Sequence, residues 1–174
     1  PRGKALHPLR CIQSFVGFCE EFEPWPMAIE TTTWLDDPAA AGTIDFLGTI
    51  NRPIKKGGKI VADKSSRVYA LLDLKSSKSL HDNHKAQVAG YAYSEKMSGC
   101  PPEYVGLLHL GNTTKAKWSL CGITDDIDRW TELALLAAKT FHLHHPNAAP
   151  SLEQFPEVFT LKTKEPVETE DVQL

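Results

Sequence analysis

Behind Pro8, the apolar residues Leu9, Ile12, Phe15, Val16, Cys19 and Phe22 recur at helical spacing, which predicts a helix over 8–22. Pro24 and Pro26 end it. "MAIETTTWL" then alternates β-branched and apolar residues as a strand over 27–35. "DDPAA" reads as a turn, and "AGTIDFLGTI" as a second strand ending near Ile50. "VYALLDLK", residues 68–75, is almost continuously apolar, the pattern of a central strand covered on both faces. The helical period returns over 80–98 and stops at Gly99, Cys100, Pro101 and Pro102. "YVGLLHL" and "AKWSLCGI" read as two further strands joined by the turn "GNTTK". The segment 125–145 reads as a helix with Asp125 and Asp126 at its start and His142, His144 and His145 at its end, charges that suit the helix dipole. These elements predict one α/β domain over 1–149, a mixed sheet flanked by helices. From residue 150 the composition turns acidic and Pro-containing, which predicts a mobile tail over 150–174.

A net charge of −3 over 174 residues excludes a surface coated in positive charge, so any contact with nucleic acid has to come from a local patch. One candidate lies between the second and third strands. The connection 51–67 carries Arg52, Lys55, Lys56, Lys59, Lys64 and Arg67 against Asp63 alone, around Gly57 and Gly58. Of these, Arg52, Lys55, Lys56 and Lys59 are the candidate DNA contacts. Cys11, Cys19, Cys100 and Cys121 are scattered without the spacing of a zinc site or an iron–sulfur cluster, and read as reduced, mostly core cysteines of a cytoplasmic protein. No apolar run approaches the roughly 18 residues of a membrane helix. The chain opens on Pro1 rather than Met, so an element upstream is expected to be missing.

Asp73 and Lys75 pose the chemical question, because a strand that reads as buried carries an acid and a lysine on one face. Desolvating either charge costs several kcal/mol unless it is paired or binds a metal. Antiparallel pairing of strands two and three brings Asp45, near the start of one, beside Asp73, near the end of the other. Leu74 points into the opposite layer, leaving its backbone carbonyl available. Two carboxylates and a carbonyl form a hard oxygen site suited to Mg²⁺ or Mn²⁺, completed by water and a substrate phosphate. Lys75 beside it can position water and stabilise phosphoryl charge, the requirements of a phosphodiesterase. On the following helix Leu80, His84, Gln87 and Tyr91 form one stripe that can face the site, with Ala86, Ala89 and Gly90 as a small-residue face for packing on the sheet. His84 is a further candidate phosphate contact.

"GTIDFLG", "LLDLKSSK" and "QVAGY", in this order, resemble the PD-(D/E)xK nucleases, in particular the RecB-like exonuclease branch that includes phage and recombination nucleases. The resemblance covers about residues 8–110. It implies a restriction-endonuclease-like core of order α-β-β-β-α-β and a Mg²⁺- or Mn²⁺-dependent deoxyribonuclease with one or two ions per site. In it Asp45 and Asp73 bind metal, Lys75 is catalytic, and Gln87 and Tyr91 line the site. It also implies an acid on the preceding strand, which Glu30 supplies. The Gly…His motif that many relatives carry upstream has only His7 as a counterpart, and the four-cysteine cluster of some branches is missing. DNA is the implied substrate, with a recombination or single-strand-binding protein as a further partner. A structure-specific endonuclease of the same fold and a catalytically silent DNA-binding module are the rival readings. The complete acid, acid, lysine set disfavours the silent module. Strand preference, polarity and oligomeric state stay open.

Overall fold

A computed structural model of the chain describes residues 2–110 and 117–148, with side chains from residue 7 onward. The chain is α/β, with helices α1 (Arg2–Phe22), α2 (Asp82–Met97) and α3 (Ile127–His144) around a sheet of strands β1 (Trp25–Leu35), β2 (Ala40–Lys56), β3 (Lys59–Lys75), β4 (Tyr104–Leu110) and β5 (Trp118–Gly122). The sheet order is β1-β2-β3-β4-β5, parallel between β3 and β4 and antiparallel elsewhere. The one parallel step needs a crossover connection, and α2 provides it.

β3 lies in the middle of the sheet and is covered on both faces. Ala70 and Leu72 pack with Phe18, Phe22, Phe46, Leu108 and Leu120 under α1, and Leu74 packs against the same layer. Leu71 faces the other way, with Ile44, Leu47, Val88, Ala89, Leu107 and Trp130 under α2 and α3. This two-sided burial is why the strand reads as an apolar run. Of the small residues on α2, Ala89 is fully buried in that second layer, whereas Gly90 is turned toward Ala134 of α3 rather than toward the sheet.

Two boundaries differ from expectation. α1 begins at Arg2 and continues through Pro8. The basic connection is no loop: β2 runs to Lys56 and β3 starts at Lys59, paired from Arg52↔Asp63 to Lys56↔Lys59. Gly57 and Gly58, both at positive φ, make the two-residue turn that a right-twisted hairpin favours. A run of lysines does not break a ladder whose bonds are all backbone.

No disulfide joins the cysteines, of which Cys11, Cys19 and Cys121 are half-buried and Cys100 is exposed. Among the described residues, no helix is long and apolar enough to cross a membrane. The expected turn at 111–115 and the acidic segment 150–174 lie outside the described residues.

Candidate active site

The site forms where β2 parts from β3. Their pairing stops at Phe46↔Leu72, yet β2 continues back to Ala40 paired with β1 alone, while β3 runs on to Lys75 paired with β4. The first half of β2 follows β1 over α2, where Gly42 lies against the Tyr91 ring and Thr33 Oγ1 donates to Ser94 Oγ at 2.7 Å. A fork therefore opens between Asp45 and the end of β3. At its base the Leu74 N–H donates to Asp45 Oδ2 at 2.6 Å, so a carboxylate stands where a ladder carbonyl would otherwise accept. In an extended strand the N–H and C=O of one residue point to the same side, so the Leu74 carbonyl turns toward the same fork. Ile44 and Phe46 fall in opposite core layers, a slip in the alternation centred on Asp45.

Asp73 is 2 % exposed on the α2 side of β3. Lys75 Nζ is 2.7 Å from its Oδ2, and among the described residues no hydrogen bond of good angle reaches that buried oxygen. Burial pushes the Asp73 carboxyl above the usual carboxylate range, and the charge of Asp45 adds to the shift, while Lys75 and His84 oppose it. Lys75 also donates to Gln87 Oε1 at 3.2 Å, and Gln87 Nε2 donates to the Tyr91 hydroxyl at 2.7 Å. Tyr91 is seated by Gly42, where a Cβ would collide with its ring. Asp73, Lys75, Gln87, Tyr91 and Gly42 thus form one chain of contacts across three elements.

Glu30 lines a cavity of about 340 Å³ together with Asp45, Phe15, Ile29 and Leu74. It is an exposed residue of edge strand β1 at φ 51°, a left-handed conformation uncommon for a side-chain-bearing residue. His84 is half-buried, and its ring is held below the ordinary imidazole value by burial first and then by Lys75, His81 and His109, with Asp73 opposing. His7 lies in α1 with Nδ1 3.7 Å from Cys11 Sγ, and no described contact ties it to Asp45 or Asp73.

The structure does not bring Arg52, Lys55, Lys56 and Lys59 to this site. Lys56 is eleven residues beyond Asp45 on one extended strand, a separation of about 35 Å at roughly 3.3 Å per residue. Arg52 is paired with Glu103 at 3.3 Å and Lys55 with Asp125 at 3.6 Å, so part of the basic excess is already met by the fold. The basic side chains near the fork are others. His109 stands opposite Lys75 in the parallel ladder, and His81 precedes α2. His109 escapes the sequence reading, although it is the one imidazole in "YVGLLHL" and lies at the carboxyl end of a strand, where open α/β sheets place ligands.

Among the described residues no three of His, Cys, Asp and Glu converge as a metal-holding group. The donors present are the Asp45 and Asp73 carboxylates and the Leu74 carbonyl. All are hard oxygens, and Asp73 Oδ2 is buried without a hydrogen bond, which fits a cation that keeps several waters, as Mg²⁺ does. No protein-family model matches the chain, and no curated protein matches it either.

Proposed function

We propose that the chain is a Mg²⁺- or Mn²⁺-dependent deoxyribonuclease with the PD-(D/E)xK arrangement of Asp45, Asp73 and Lys75. The observation that carries this reading is Asp73, a buried acid whose Oδ2 has only a lysine beside it, at the base of a fork that also holds Asp45. An ion pair alone is a costly reason to bury a carboxylate in the middle of a sheet. The order α1-β1-β2-β3-α2-β4 supports the restriction-endonuclease-like core as the finer fold.

Asp45, Asp73 and the Leu74 carbonyl would hold the ion, and Glu30, which lines a cavity with Asp45, is the acid of the preceding strand. When bound, a divalent ion supplies a Lewis acid for the phosphoryl oxygens and a more acidic water. Lys75 aligns the attacking water and stabilises the charge that develops on phosphorus-bound oxygen. Gln87 holds the lysine through its Oε1, and Tyr91 fixes the amide so that this oxygen faces Lys75.

Incubation of the protein with Mg²⁺ or Mn²⁺ and matched linear, nicked and covalently closed DNA tests the reading, with Asp73→Asn in parallel. Metal-dependent loss of linear DNA alone identifies an exonuclease, and cutting of the closed circle an endonuclease. Either activity should vanish in Asp73→Asn. No metal-dependent cleavage of any form by the unmodified protein, or equal cleavage by the variant, refutes it.

A further inference from the structure

The fork carries imidazole side chains that the proposed chemistry does not use. His84 Nδ1 accepts the His81 backbone N–H at 3.3 Å, which leaves the proton of the neutral ring on Nε2. That nitrogen is a donor with no hydrogen-bond partner among the described residues. The His81 and His84 rings meet edge-on at 5.5 Å between centroids. His109, from β4, stands at the height of Lys75 and is anchored through Nε2 to the Ser77 carbonyl at 2.7 Å. Three elements, β3, β4 and the start of α2 with its preceding His81, thus direct Lys75, His109, His81 and His84 to one place, in a chain of net charge −3. The acids facing them are Asp73, already paired with Lys75, and Asp82, paired with Lys85 at 3.0 Å.

We infer that His84, through Nε2 and flanked by His81 and His109, forms a phosphate-binding shelf beside the metal-binding carboxylates, which takes a backbone phosphate of the bound strand neighbouring the one that is cleaved. The inference rests on the nuclease reading and names the contact that holds its substrate. A phosphate suits this place because a half-buried N–H donor close to the Lys75 ammonium gains from an anion. The shelf also supplies near the fork a phosphate contact that the hairpin, about 35 Å away, cannot.

The test is binding without metal, so that it does not depend on turnover. In EDTA at pH 7, the histidine ring signals of the full chain are followed by NMR while inorganic phosphate or a six-nucleotide oligothymidylate is added. The expected result is a saturable shift of the His84 and His109 signals with both probes, tighter for the oligonucleotide and weakened by salt, with His142 unmoved. His109→Asn, which leaves the α2 start untouched, should lower oligonucleotide affinity about fivefold. His84→Gln should do so at least as strongly. No saturable shift at His84 and His109, or unchanged oligonucleotide affinity in both variants, overturns the shelf even if metal-dependent cleavage is found. Binding by a protein that cleaves nothing would instead leave the shelf standing and remove the nuclease reading.

Discussion

Replacing Lys75 with Met removes the one cation that the described residues place within ion-pair distance of Asp73, and leaves its buried Oδ2, on a side chain of 4 % exposure, without that partner. The loss has an upper bound, because the stranded group can take a proton. Neutralising at pH 7 a carboxyl of ordinary value 3.8 costs about 4.4 kcal/mol at 1.36 kcal/mol per unit. Lys75 keeps 20 % of its side chain exposed, so its pairing is screened in part, and a deficit of about 1–4 kcal/mol is expected in metal-free protein. For a chain of this size that corresponds to a melting temperature lower by roughly 3–15 °C. The sign of the pH dependence follows from the acid. Its folded value is already raised by burial and rises further without the lysine, so the deficit is full above the variant's value and fades as pH falls below the wild-type folded value, where the folded carboxyl is protonated in both proteins. Thermal unfolding in EDTA from pH 8 to pH 4.5, wild type beside Lys75→Met, measures this. A variant as stable as wild type, or a deficit that stays constant with pH, would refute the placement of Lys75 as the counter-ion of a buried Asp73. In the same variant single-turnover cleavage should fall about 10²-fold.

Gly42→Ala places a methyl group against Cε1 of the Tyr91 ring, 2.7 Å from its hydroxyl oxygen and 2.8 Å from Cζ, so the ring has to move and the bond to Gln87 is strained. The expected cost is about 1–3 kcal/mol in thermal unfolding, together with a loss of cleavage rate that Tyr91→Phe does not add to. Additive rate losses would show that Tyr91 does not act through this contact. Changing Lys55, Lys56 and Lys59 together to Ser should weaken binding of duplexes longer than about 10 base pairs and reduce the salt slope, because the hairpin lies about 35 Å from the fork. Affinity for a six-nucleotide strand should stay the same, and a loss there in filter binding would place the hairpin at the site.

The spacing of Asp73 and Lys75, and of Gln87 and Tyr91, was legible because strand and helix periods dictate which residues share a face. Helical packing over residues 8–22 and the two-sided burial of β3 were legible for the same reason. The fork was not. It depends on a slip of alternation at Asp45 inside "TIDFLG", where apolar residues flank both sides and either register buries them. The extension of the hairpin to Lys56 and Lys59 was hidden by charge, although Gly57 and Gly58 marked the turn. The meeting of His109 with Lys75 depends on the parallel step between β3 and β4, a long-range pairing that no local pattern encodes.

The central claim, that Asp45 and Asp73 share a divalent cation, is tested most directly by calorimetric titration of Mn²⁺ into metal-free protein at pH 7, with Asp45→Asn and Asp73→Asn treated identically. The structure predicts saturable binding of one or two ions per folded chain, weakened at least tenfold in each variant while both stay folded. No saturable binding by the unmodified chain, or binding that survives unchanged in both variants, would contradict it.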